Sequence, residues 1–301
     1  MGAVIDFGQE ASAAMEDLIS QLNRSGKRLS KGHRKIAGFI SEHYEKAVHM
    51  TAARLGVCVG VSESTVVRFA AALGYEGYPQ MQQALQELVS HRLTAGQRVE
   101  MSADLSPEEA LDTVLRQDAT NLRTTLEHID RETFRRIADR LLNARTIYVM
   151  GLRSAAPLAQ FMGYYLNYIF EDVRLVSSGA TDVFEGIARM QPGDVIIGIS
   201  FPRYSTRTLE AMRFAKRSGA QVVAITDGPM SPLCEVADDS LTARTEMSSF
   251  VDSLTAPMSV INALLVALGL QRREALSEHF RQLEGIWDTY QVYLEGEKPH
   301  A

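Results

Sequence analysis

"DVIIGISFPRYSTRTLEAMRFAKRSG", residues 194–219, decides how the second half of the chain folds. It opens on a β-branched run, Val195 to Ile199, crosses a loop of hydroxyl and guanidinium side chains, and continues from Thr206 with apolar residues at helical spacing. A short apolar run bounded by polar residues reads as a strand, and the segment after it as a helix. The same alternation surrounds it. "TIYVMG" (146–151), "DVRLVSS" (172–178), "QVVAITD" (221–227) and "DSLTAR" (239–244) are further strand-like runs, and segments such as "AAPLAQFMGYYLNYIF" (155–170) have helix length and pattern. Strand alternating with helix predicts a three-layer α/β domain on a five-stranded parallel sheet of flavodoxin-like order, 2-1-3-4-5.

After the fifth strand, "DSLTAPMSVINALLVALGL" (252–270) is apolar nearly all round and is expected to be buried. The last helix spaces Leu276, Phe280, Leu283, Trp287 and Tyr290 by fours and threes. That seam suits either pairing between subunits or packing on its own chain.

The first half has a different period. Up to about His91 it reads as short helices, with Ile36, Phe39, Ile40 and Tyr44 at helical spacing in "RKIAGFISEHYEKA". "RLTAGQRVEMSADL" from Arg92 is polar and unpatterned. Ser106, Pro107 and Glu109 then form a helix-start signature. The expected division is an all-α domain over 1–92, a linker and connecting helix over 93–129, and the α/β domain with its C-terminal helix over 130–295.

Within the first domain, "MTAARLGVCVGVSESTVVRFAAALGY" (50–75) is the most specific stretch. One short helix presents Ala52, Leu55 and Val59 to one side, Gly60-Val61-Ser62 turns, and Ser62 caps a second helix. Val66, Phe69, Ala70 and Leu73 form that helix's inward stripe, and Gly74 stops it. Ser62, Ser64, Thr65 and Arg68 lie at its outward start, where a helix-turn-helix places the side chains that enter the major groove of double-stranded DNA. The formal net charge is −6, yet "RSGKRLSKGHRK" (24–35) carries Arg24, Lys27, Arg28, Lys31, Arg34 and Lys35 without an acid. Charge alone suits a solvated helix end as well as a phosphate-facing patch.

In the α/β domain the assumed strand order places the ligand crevice outside the ends of the first and third strands. The first loop, "GLRSAA", holds Arg153 and Ser154. The second holds Ser200, Arg203, Ser205 and Thr206. Both lead into helix N-termini, whose free N–H groups favour an anion, and the hydroxyls add donors for phosphate oxygens. The same hydroxyls also serve as ordinary helix caps. Ser177, Ser178 and Thr181 fit a structural role better, and Glu246 reads as a surface carboxylate.

Residues 51–78, continuing through "GYEGYPQMQQAL", resemble the helix-turn-helix of the RpiR family of bacterial transcriptional regulators, which joins such a module to a sugar isomerase (SIS) domain. The resemblance spans nearly the whole chain. It implies that Ser154 and Ser200 match phosphosugar-contacting serines and that Ser205 matches the later hydroxyl of an "S-x-S-G-x-T" loop. Pro202 and Arg203 depart from that loop's second serine and glycine.

Other classes are disfavoured. "GLRSAA" lacks the G-x-G-x-x-G of a dinucleotide site. Two cysteines, Cys58 and Cys234, are too few for a disulfide framework or a four-ligand metal site, so no metal or cofactor is expected. No run reaches the about 18 apolar residues of a membrane span, and the acidic N-terminus lacks a signal-peptide pattern. The expected protein is a cytoplasmic, non-enzymatic regulator of carbohydrate metabolism, a homodimer or homotetramer. Its partners are operator DNA and a phosphorylated sugar or sugar-acid effector. The alternative is an SIS-type sugar-phosphate isomerase or lyase with an appended helical domain, which needs a general base beside the substrate.

Overall fold

The computed structural model describes residues 29–47, 50–82, 85, 95–100, 102, 105–177 and 182–294. Arg24, Lys27, Arg28, Ser178 and Thr181 lie outside them. The chain divides into two compact units, residues 1–111 with 248–251, and residues 112–247 with 252–301.

In the first unit, α1 (Lys31–Glu42), α2 (Tyr44–Ala47), α3 (Ala52–Val59) and α4 (Glu63–Ala72) are followed later by α5 (Ala95–Glu100). The helical period read through residues 34–47 breaks at His43, which separates α1 from α2. Ile36 and Ile40 of α1, Leu55 of α3, and Val66, Phe69 and Ala70 of α4 make one core. Leu73 is partly buried beside them, and so is Val59; Gly56 takes the inward place on α3 beside Ala52 and Leu55. A Cβ on Gly56 would meet the carbonyl oxygen of Val61 at 2.9 Å, so glycine lets the turn close over the helix. Gly60 ends α3 in the left-handed conformation, φ 68°. The axes of α3 and α4 then differ by 105°, within the helix-turn-helix range.

The second unit holds all but the first two residues of α6 (Ala110–His128), and then α7 (Arg131–Leu142). The capping box at Ser106 is present, since the Glu109 amide donates to Ser106 Oγ at 3.3 Å and the Ser106 amide to Glu109 Oε2 at 3.3 Å. The first turn is tighter than α-helical, so α6 itself begins three residues later than its signature. Its polar side is tied to the segment after the last strand. Asn121 Nδ2 donates to the Glu246 carbonyl at 2.8 Å, Thr255 Oγ1 to Asp118 Oδ2 at 2.8 Å, and the Arg244 amide to Thr125 Oγ1 at 2.9 Å.

There follow β1 (Ile147–Gly151), α8 (Ala156–Ile169), β2 (Val173–Val176), α9 (Val183–Ile187), β3 (Val195–Ile199), α10 (Thr206–Arg217), β4 (Gln221–Thr226), α11 (Pro232–Val236), β5 (Asp239–Thr242), α12 (Thr255–Gln271) and α13 (Arg273–Tyr290). The five strands are parallel in the order β2-β1-β3-β4-β5, as the sequence pattern predicts. Side chains alternate across the sheet. Ile147, Val149, Val195, Ile197, Val223 and Leu241 pack against α7, α8 and α12. Tyr148, Met150, Ile196, Val222 and Ala224 pack against α9, α10 and α11.

Helix α12 is not buried all round. Val260, Ile261, Leu264 and Leu268 face the core, while Val266 and Leu270 are exposed, because a helix in an outer layer has only one side to pack. In α13, Leu276, Phe280, Leu283 and Trp287 are half-buried and Tyr290 is exposed. The Phe280 ring lies 5.1 Å from that of Tyr168 on α8, so part of the seam packs on its own chain.

One carboxylate joins α7 to the edge strand. Asp239 Oδ1 accepts from Arg136 Nη2 at 2.9 Å, and its Oδ2 accepts from Arg140 Nε at 2.6 Å. The Asp239 side chain is 5% exposed, whereas those of Arg136 and Arg140 are 46% and 28% exposed. Asp239→Ala should therefore cost about 2 kcal/mol, less than removing a fully buried pair, because both guanidinium groups can return to water. Urea unfolding of the two proteins measures the difference.

Candidate functional site

The register of β1 against β3 sets Gly151 opposite Ile199. Adjacent strands lie about 4.8 Å apart, so the loops that leave them start side by side. Ser154 and Ser200 belong to these two loops, at the point where the strand order reverses. A Cβ on Gly151 would meet the Ala155 carbonyl at 2.6 Å, so glycine permits the tight exit from β1. Arg153 then takes φ 56° and starts a single 3-10 turn, Arg153–Ala155, that leads into α8.

The hydroxyls of the two loops are used differently. Ser200 is 4% exposed and its Oγ accepts from the Ser205 amide at 3.0 Å, so it closes its own loop. Its carbonyl accepts from Thr226 Oγ1 at 2.8 Å, which ties the loop to the end of β4. Ser205 caps α10, accepting from the Thr208 amide at 3.3 Å. Thr206 is exposed on the first turn. Ser154 is exposed and caps nothing, since neither the 3-10 turn nor α8 has a side-chain cap. Among the described residues its hydroxyl has no hydrogen-bond partner.

Arg203, which stands where the SIS loop pattern has glycine, takes φ 68°. The chain keeps the glycine conformation with an arginine in it, at a backbone cost of about 1 kcal/mol. Arg153 and Arg203 are both exposed, and Phe201 and Pro202 are buried beneath the second loop. Tyr204 donates to Asp227 Oδ1 at 2.8 Å, and burial, reinforced by that carboxylate, holds the phenol well above its ordinary range. Sequence reasoning missed this bond, because Asp227 follows a different strand and nothing in the spacing pairs it with Tyr204. Arg207 pairs with Asp182 at 3.0 Å. Ser177 is exposed at the end of β2, and Glu246 offers its backbone carbonyl to Asn121.

In the helical unit, Ser62 Oγ accepts from the Thr65 amide at 3.3 Å and lies 2.9 Å from Ser64 Oγ and 2.8 Å from Thr65 Oγ1. Arg68 Nε donates to the Ser64 carbonyl at 3.2 Å. Ser62, Ser64 and Arg68 are exposed and Thr65 is half-buried, so all four sequence-assigned residues gather at the start of α4. Part of the basic run lies beside them. A Cβ on Gly32 would touch Thr65 Cγ2 at 3.0 Å, and one on Gly60 would lie 3.9 Å from Lys35 Nζ. His33 sets its ring edge-on to Phe69, with centroids 5.6 Å apart. Burial first, and then the Arg68 charge, lower its pKa.

Two families match the chain: the SIS domain over residues 140–267, and the helix-turn-helix domain of the rpiR family over residues 16–92. The HTH-type transcriptional regulator HexR of Pseudomonas aeruginosa is 26% identical over 280 residues, which cover 90% of this chain and 95% of that protein. The sugar isomerase domain of an RpiR transcription factor from Sphaerobacter thermophilus superposes with a TM-score of 0.56 at 26% identity, covering 58% of this chain and 98% of its own. The Vibrio vulnificus NanR protein, complexed with ManNAc-6P, superposes with a TM-score of 0.55 at 20% identity over 91% of this chain and 98% of its own, a likeness of fold. These matches define a transcriptional regulator made of a helix-turn-helix domain and a SIS domain. The chain's amino-terminal part matches the helix-turn-helix domain of the rpiR family, and its carboxyl-terminal part matches the SIS domain. The isomerase or lyase alternative gives way to the regulator.

At Arg203 the backbone angle and the side chain conflict, so Arg203→Gly should hold or raise the melting temperature, whereas glycine in an ordinary loop lowers it. Gly151→Ala should lower it, since the backbone oxygen at 2.6 Å cannot move aside cheaply. Paired melting curves test both.

Proposed function

We propose that the protein binds an inverted-repeat operator as a dimer or tetramer through α4, and that a phosphorylated sugar or sugar acid held by the loops after β1 and β3 shifts which arrangement of its subunits is populated. The observation that carries the effector half is the Ser154 hydroxyl. It caps no helix, yet it stands exposed at the start of α8 beside the loop that Ser200 closes. Helices that alternate with parallel strands bring their N-termini to the strand ends, so α8 and α10 present N–H groups at one edge, where an anion is favoured. Arg153 and Arg203 add exposed positive charge. The complex of NanR with ManNAc-6P supports a phosphosugar as the chemical class.

On the DNA side, the 105° helix pair, the exposed Ser64 and Arg68, and Lys31, Arg34 and Lys35 on α1 suit groove contact flanked by phosphate contact. In a dimer the two copies of α4 would sit roughly 34 Å apart, one turn of DNA. The ties from α6 to the segment after β5 make α6 the candidate for carrying the shift.

A thermal-shift panel of sugar phosphates tests the effector site, because a ligand that binds only the folded state raises the melting temperature. The panel should give a hit that is lost when Ser154→Ala and Ser200→Ala are combined. An unchanged hit in that variant would move the site elsewhere. Arg68→Ala should abolish operator binding and leave the thermal shift intact, as read by fluorescence anisotropy on operator DNA.

A further inference from the structure

We infer that Val67 is a base-reading residue, and that it contacts the C5-methyl group of a thymine in each half of the operator. The inference rests on the DNA-binding reading above and names a chemistry within it. The buried side of α4 is Val66, Phe69 and Ala70. Ser64, Val67, Arg68 and Ala71 follow the spacing i, i+3, i+4, i+7 and share the opposite side, where all four are exposed.

The polar groups on that side are partly committed. The hydroxyls of Ser62, Ser64 and Thr65 hold one another at the helix cap, at 2.8 and 2.9 Å. Arg68 spends its Nε on the Ser64 carbonyl and keeps its terminal amino groups for a base or a phosphate. Next to it Val67 is 41% exposed, an apolar side chain kept in water on the face that docking would turn to the groove. Its branched Cβ leaves one strongly preferred rotamer in a helix, so its methyl groups are held in place before DNA arrives.

Base edges in the major groove are donors and acceptors with one apolar exception, the thymine C5-methyl. Valine meets that methyl without stranding a polar group of its own. Cytosine at the same place offers no methyl and brings an amino donor that valine cannot satisfy. Ala71, one turn further along, continues the apolar strip.

The experiment uses the full-length protein at one fixed salt concentration, since phosphate contacts make affinity salt-dependent. Binding sites are selected from a random duplex pool, and each thymine in the selected site is replaced in turn by deoxyuridine, which removes only the methyl. One thymine per half-site should then weaken binding about fourfold, the effect of taking one methyl out of an apolar contact. Val67→Ala should show no such loss at that thymine, while every other thymine behaves alike in both proteins. A selected site in which no thymine responds to residue 67 overturns the inference and leaves the regulator reading standing. Failure to enrich any sequence overturns that reading and the inference with it.

Discussion

The pairing of β1 with β3, Gly151 against Ile199, is the constraint on which the rest of the α/β unit depends. β2 lies on one side of β1 and β3 on the other, so the chain leaves the two central strands toward different neighbours. Their loops leave the sheet where the strand order reverses, the place where doubly wound sheets bind their ligands. The arrangement holds because alternate side chains of these strands find a core on each face. Each face is closed by helices that the same strand-helix alternation supplies.

The hydroxyl groups at that edge divide into two kinds. Ser200 and Ser205 are bound into the loop and the first turn of α10, so they fix the shape of that loop. Ser154 is held only by its backbone, and its side chain faces solvent. Arg153 and Arg203 sit in left-handed backbone that costs each of them about 1 kcal/mol. Such strain persists only where surrounding packing imposes it, and buried Phe201 and Pro202 supply that packing beside Arg203.

In the helical unit glycine plays two distinct parts. Gly60 supplies the positive φ that ends α3, a role its place in the turn already declares. Gly56 allows the Val61 carbonyl to lie against α3, and that close approach sets how α4 leaves the turn. The outward face of α4 follows directly, because burying Val66, Phe69 and Ala70 leaves Ser64, Val67, Arg68 and Ala71 no other side.

The classes of element, their order, and the loops that follow β1 and β3 are all legible in the sequence. Hydrophobic period and caps are local properties, and a helix-turn-helix or a strand-loop-helix is specified within about 26 consecutive residues, as in the two quoted stretches. Which hydroxyls are spent is settled by packing and loop geometry. Whether Ser154 or Ser200 caps a backbone amide depends on loop geometry, and both types of serine look alike in the chain. The tertiary structure also decided the bonds between distant segments, such as Tyr204 to Asp227, Asp239 to Arg136 and Arg140, and α6 to the segment after β5. The exposed side of α12 and the half-buried seam of α13 belong to the same group, since apolar spacing states that a face needs cover and packing alone settles how much it receives.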